Sequence, residues 1–178
     1  MRILDTHHHL WDISLRPYDW INQLPKNESG IINRNFLHDD LVEISNINRI
    51  DGTICIQAHQ SEDEAFWILG LAKNSDVIKG VVCWVDLKGN NLEHTLDKYQ
   101  SDNKFVGIRH VWHDEKNEDW ILDEKVLNGL KVLSKRGINF DFLVRPNHLK
   151  YIFEVYEKVP ELKGVINHIA KPYVKESI

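Results

Sequence analysis

The chain has only two cysteines among 178 residues, Cys55 and Cys83, far apart and inside apolar runs, with no C-x-x-C spacing. A disulfide scaffold is therefore not expected, and a reducing, cytoplasmic setting is. Basic blocks are missing as well. Lys and Arg number 22 against 27 Asp and Glu, for a formal net charge of -5, which speaks against nucleic acid and anionic membrane as partners. No apolar run is long enough to span a bilayer, and only two apolar residues separate Arg2 from Asp5, so the start does not read as a signal peptide. No G-x-G-x-x-G or phosphate loop follows any candidate strand, which removes the usual dinucleotide and nucleotide readings. Repeats, low-complexity tracts and interdomain linkers are absent, so residues 1–178 read as a single domain.

What is present is a hydrophobic fraction of 42%, ten histidines and six tryptophans. Strand-like and helix-like segments alternate. Arg2–His7, Gly52–Gln57, Gly80–Val85, Phe105–Arg109, Asn139–Val144 and Gly164–His168 read as strands, several of them near-continuous apolar and β-branched runs, as in parallel strands covered on both faces. Ser61 and Glu64 form a capping-box pattern before Ala65–Leu69. Asp123–Arg136 carries a helical stripe of Val126, Leu127, Leu130 and Leu133 and stops at Gly137, and His148–Lys158 is helical and followed by Pro160. Asp39–Arg49 and Asn90–Gln100 also fit helices. The alternation implies an α/β fold with a parallel sheet, either open and doubly wound or a barrel. Periodicity alone does not separate the two. Polar residues at strand ends (His7, Gln57, Trp84, Arg109 and His168) are distributed as barrel enzymes distribute a site over many strands.

Three places carry chemistry. Alternation along Asp5-Thr6-His7-His8-His9 puts His7 and His9 on one face and His8 on the other, so two imidazoles can meet one metal ion or one substrate oxygen. A chance cluster at a solvated strand end weighs equally. Arg109 ends an apolar strand, where a guanidinium can hold a carboxylate or a developing oxyanion through two hydrogen bonds, or sit in a buried ion pair. His110 and His113 follow it as loop or supporting residues. His168, before Ile169-Ala170-Lys171-Pro172, is a ligand, an acid-base group or a satisfied core histidine.

Taken together, Asp5-x-His7-x-His9-x-Trp11-Asp12, Gly80-Val81-Val82-Cys83-Trp84-Val85-Asp86-Leu87, Gly107-Ile108-Arg109-His110 and His168-x-x-Lys171-Pro172 resemble the amidohydrolase-superfamily branch of sugar lactonases and dicarboxylate lactonases. The resemblance runs from residue 2 to the end. It implies a (β/α)₈ barrel of the TIM type and hydrolysis of a cyclic ester of a sugar acid or related carboxylate. It implies that His7, His9 and His168 line the pocket and that Arg109 contacts the substrate as a catalytic group, with Gln57, Trp84 and Lys171 as further substrate contacts. Metal use varies within the branch. The resemblance therefore allows one divalent ion, zinc or similar, on His7, His9 and His168, and equally a metal-free mechanism. The expected partner is a small sugar lactone or sugar acid. The long segment from Trp11 to Phe36, with Tyr18 and Trp20, either walls the pocket or packs on the barrel.

The resemblance also implies a final strand bearing an aspartate in a Ser-Asp-Trp-Pro-like block, the general base on water. Residues 1–178 contain no such block, and six strands are fewer than the eight of a barrel, which typically runs to about 250 residues. The expectation is an incomplete barrel from a C-terminally truncated member. Such a chain is a weak or inactive catalyst that binds a sugar acid, or a homo-oligomer joined through its open sheet edges.

Overall fold

The computed structural model describes residues 2–174. Six strands, β1 (Leu4–His8), β2 (Gly52–Ile56), β3 (Ile78–Cys83), β4 (Phe105–His110), β5 (Asn139–Phe142) and β6 (Gly164–Ile166), follow one another in sheet order as they do in the chain. Longer helices fall between them: α3 (His38–Asn48), α4 (Glu62–Lys73), α5 (Leu92–Gln100), α6 (Glu124–Lys135) and α7 (Leu149–Lys158). This is the incomplete (β/α)₈ architecture expected from the resemblance, one of the two that the alternation had left open. The chain divides into two compact units, one running to Val82 with Asp102–Phe105, the other comprising Cys83–Ser101 and the chain from Val106 onward.

In the first unit β1, β2 and β3 pair in parallel. β2 is buried almost throughout; Cys55, Ile56, Ile78 and Val81 of the strands are buried, as are Ala65, Ile68, Leu69 and Ala72 of α4. Both cysteines are buried. The segment between β1 and α3 holds two short helices not foreseen from sequence, α1 (Asp19–Asn22) and α2 (Lys26–Ile32). They close over a small apolar cluster of Trp11, Tyr18 and Ile21 flanked by Trp20, Ile32 and Phe36. Trp11 and Phe36 exchange backbone hydrogen bonds at 3.0 and 2.9 Å, and the Trp11 indole N–H donates to the Arg34 carbonyl at 2.8 Å. The aromatic residues of this segment thus pack together as a core of their own.

In the second unit β4, β5 and β6 pair in parallel. The α6 stripe is buried as its spacing requires, with Val126, Leu130 and Leu133 fully enclosed beside Phe140 and Phe142. Asp123 caps the helix by accepting from Lys125 N–H at 2.8 Å. At its end Gly137 adopts φ +67, and two hydrogen bonds, Gly137 N–H to Ser134 O and Ile138 N–H to Leu133 O, complete a Schellman motif. Leu92, Thr95, Leu96 and Tyr99 form the buried face of α5. Among the described residues no helix is long and apolar enough to cross a membrane.

Gly129 shows how tightly α6 is seated. A Cβ there would stand 2.5 Å from the Leu87 carbonyl oxygen, a backbone atom that cannot swing aside. Gly129→Ala should therefore destabilise the chain by about 1–3 kcal/mol through overpacking, although alanine favours helix. Urea unfolding measures it, and an unchanged midpoint would contradict the close approach.

Candidate active site

β1 delivers the histidine motif at its C-terminal end. The pairing with β2 shifts between Asp5 and His8, where one extra residue is inserted against Thr53 and Cys55. The sorting of the three imidazoles survives. The His7 and His9 rings meet edge to face, centroids 5.1 Å apart, while His8 turns onto β2, its Nε2 2.9 Å from Thr53 Oγ1, where burial holds its pKa below the usual histidine value. His9 Nδ1 lies 2.9 Å from the Ile56 carbonyl. A carbonyl only accepts, so Nδ1 carries a proton. Gln57 follows β2 directly, fully buried, its N–H donating to the Val82 carbonyl at 2.9 Å.

Glu64 is a residue whose role sequence reading saw only in part. Ser61 Oγ accepts the Glu64 N–H at 3.2 Å, as a cap should. The Glu64 carboxylate does not reach back to Ser61. Its Oε2 accepts the N–H groups of Ala58 and His59 at 3.0 and 2.7 Å, fixing the loop after β2. Burial pushes the Glu64 carboxyl up to about 7, against the pull of those N–H groups, the neighbouring Tyr18 hydroxyl and the Arg16 guanidinium. Burial likewise raises the Tyr18 phenol to about 12. A usable signal existed: Glu64 sits four residues before Ile68, on the apolar face of α4.

In the second unit Arg109, 4% exposed, lies in register opposite Asp141 of β5. Burial raises the Asp141 carboxyl, opposed by the Asn167 amide, which donates to it at 3.0 Å, and by Arg109. Trp84 stands just beyond β3. Its indole N–H donates to His110 Nδ1 at 3.2 Å and its carbonyl accepts from the Tyr99 hydroxyl at 2.9 Å. His110 Nε2 therefore carries the proton and donates to Glu115 Oε1 at 2.6 Å, while the ring stacks on Trp120 at 4.0 Å. Burial keeps the imidazole pKa low in spite of Glu115.

His168 does not end a strand. β6 stops at Ile166, and His168, Ile169, Ala170 and Lys171 all take positive φ, from 49 to 59°. Four consecutive side-chain-bearing residues in the left-handed region carry a conformational penalty of about 1–2 kcal/mol each, and such strain collects at functional sites. The turn leaves His168 exposed, its pKa lowered by packing around the ring and by the Lys171 and Arg109 cations. Lys171 is half-buried and its Nζ donates to His113 Nε2 at 2.8 Å; His113 Nδ1 in turn donates to Asp114 Oδ1 at 2.6 Å. Burial, Arg145 and Arg109 hold the Lys171 pKa below the usual lysine range.

The structure thus brings His7 and His9 together beside the end of β2, and groups Arg109, His168 and Lys171 around the ends of β4 and β6. Arg145 and Asp141 belong to the second group and were not singled out from sequence; Glu64 was read only as half of a capping box. An acid inside the apolar run Phe140–Leu143 was the available sign for Asp141. For a metal, His7 and His9 supply two imidazoles. Among the described residues no group of three or more His, Cys, Asp or Glu is placed to hold an ion. Zinc takes three or four protein ligands, so these residues do not by themselves fit one.

The amidohydrolase family model matches residues 4–178. The chain belongs to the amidohydrolase family. An L-fucono-1,5-lactonase of Burkholderia ambifaria is 29% identical over 169 residues, 95% of this chain and 57% of that enzyme. Crystal structures of a Burkholderia multivorans amidohydrolase, one with bound HEPES and one with bound zinc, superpose with a TM-score of 0.89 at 25% identity, covering 99% of this chain and 60% and 61% of theirs. A probable 2-pyrone-4,6-dicarboxylic acid hydrolase of Acinetobacter baumannii, 12% identical, shares the fold at a TM-score of 0.67 over 96% of this chain and 59% of its own. The chain spans rather more than half the length of the curated lactonase it matches.

In this amidohydrolase chain Glu64 imposes a pH dependence on folding. The unfolded carboxyl titrates near 4.5 and the folded one near 7. Between those values the folded state keeps a proton that the unfolded state has lost. The Glu64 contribution is thus fully present below 4.5, declines as pH rises, and is gone above 7. Glu64→Gln should flatten this decline in urea unfolding measured across that window; an identical slope in the variant would contradict it.

Proposed function

We propose that the chain supplies the carbonyl-polarising and substrate-binding residues of a hydrolase that opens lactones, cyclic esters of sugar acids. The observation that carries this reading is the match to an L-fucono-1,5-lactonase over 95% of the chain, combined with the ring pair His7–His9 at the end of β1. Lactone opening needs water delivered to the carbonyl carbon and donors for the oxygen that becomes negative. His7, His9 and Arg109 are assigned to that oxygen, where fixed donors in a poorly solvated site are most effective. After attack the ring C–O bond breaks, the leaving alkoxide takes up a proton, and a hydroxy acid is released. His168 is assigned to proton handling, its lowered pKa keeping it neutral near pH 7. Gln57 and Trp84 are assigned to the sugar, and Lys171 to the acid end of the substrate. The rigid mounting of Trp84 between Tyr99 and His110 suits an aromatic face against which a sugar ring packs.

The competing reading within the family is a chain that binds a sugar acid and turns over little lactone. An assay of sugar-lactone opening by the purified chain, with and without zinc, separates the two and also tests for metal dependence. Under the hydrolase reading His7→Ala or Arg109→Ala should each lower kcat/KM by about 10²–10³-fold. Opening of lactones that survives both substitutions would sink the assignment. The terminal strands β1 and β6 expose Leu4, Val165 and Ile166, and self-association through these edges belongs to the same proposal. Sedimentation should show species heavier than the 20.9 kDa chain, reduced by Val165→Lys; a monomer at all concentrations would refute it.

A further inference from the structure

We propose that Lys171, Arg145 and His113 form a carboxylate-binding site at the ends of β4, β5 and β6, which takes the acid group of an aldonate, the open-chain product of sugar-lactone hydrolysis. The inference rests on the lactonase reading for the identity of the ligand and on the residues themselves for its charge.

Three loops converge here. His113 lies in the turn after β4, its backbone N–H donating to the Leu143 carbonyl at 3.2 Å, which anchors it beside the end of β5. Two residues on, Arg145 has its own N–H held by His148 Nδ1 at 3.3 Å. Lys171 arrives from the left-handed turn after β6. The hydrogen-bond directions fix the protonation states. His113 donates from Nδ1 to Asp114 at 2.6 Å, so its Nε2 bears a lone pair, and that lone pair receives one proton of the Lys171 ammonium at 2.8 Å. The ammonium is thus aimed by a neutral ring, and two of its three protons remain to be placed.

The charges around it are unbalanced. Burial lowers the Lys171 pKa most, and Arg145 and Arg109 press on it electrostatically in the same direction, with Asp114 opposing them from the far side of the His113 ring. Among the described residues neither Lys171 nor Arg145 forms an ion pair with a carboxylate. Cations that act on one another in this way, with Lys171 on a turn kept in a costly backbone conformation, are stabilised by an incoming anion. An exposed guanidinium next to a half-buried ammonium presents both a fork for two carboxylate oxygens and a point charge. Lactone opening converts a neutral ester carbonyl into a carboxylate, so this site favours the acid over the lactone.

Calorimetric titration of the 178-residue chain with gluconate, glucitol and inorganic phosphate tests the proposal. Gluconate should bind and glucitol should not, and binding should weaken with added salt. Arg145→Gln and Lys171→Gln should each weaken gluconate by about tenfold or more, the loss of a charged hydrogen bond. Arg145 is exposed, so its variant keeps the fold and decides the matter if Lys171→Gln does not. Gluconate affinity unchanged in Arg145→Gln, equal binding of glucitol, no gluconate binding at all, or binding of phosphate without gluconate would each overturn the proposal. Failure of the lactonase reading looks different: gluconate held through these residues by a chain that opens no lactone.

Discussion

A parallel strand cannot be joined to its parallel neighbour by a tight turn; the chain must travel back, here through a helix, before the next strand begins. Everything else in this structure depends on that constraint. Within each unit it points all strands the same way, so the loops that follow them share one end. In the first unit that end collects His7, His9 and Gln57, with Glu64 reaching from the start of α4 to tie down Ala58 and His59. In the second it collects Arg109, His113, Arg145 and Lys171. The strand interiors are left to Ile, Val, Phe and Cys, which is why β2 and β5 are buried nearly from end to end.

Because the loops at that end are packed against apolar strands, their ionisable groups sit in surroundings that penalise charge. Each described group meets that penalty in a specific way. Glu64 is given two backbone N–H groups and keeps a proton over much of the acid range. Asp141 is given the Asn167 amide and the Arg109 register. His110 is held neutral between an indole donor and a carboxylate acceptor, and so becomes a rigid support for Trp84. The Asp114–His113–Lys171 chain does the same for an ammonium. These side chains are fixed in orientation and protonation before any ligand arrives, which is what a binding site made of loops requires.

The legible part was large where period and punctuation agreed. The Val126, Leu127, Leu130, Leu133 stripe with Asp123 before it and Gly137 after it marked α6 at both ends. The separation of His8 from His7 and His9 followed from alternation and survived a register shift that could have scrambled it. Elsewhere local pattern was a poor guide. Gly80–Val85 reads as a strand, yet pairing covers Ile78–Cys83, so Trp84 stands beyond its end. Ser61-x-x-Glu64 has the form of a reciprocal cap, yet only the serine half is made. The Ser61 N–H goes to the His59 carbonyl instead, and the Glu64 carboxyl takes the N–H groups of Ala58 and His59 in the loop before it.

The amino-acid sequence by itself determined the alternation of strands and helices, the burial of their apolar faces and the membership of the amidohydrolase family, since these rest on periodicity and on motifs read along the chain. Only the tertiary structure decided which polar groups meet. The Lys171–His113 contact joins residues 58 apart, Arg109 faces Asp141 across two strands, and His168 leaves the strand direction in a left-handed turn that no residue type in Asn167-His168-Ile169-Ala170-Lys171 announces. The reason is physical. Propensity and hydrophobic period act over a few neighbouring residues, whereas the charge state and aim of a buried side chain are set by whatever the fold packs against it.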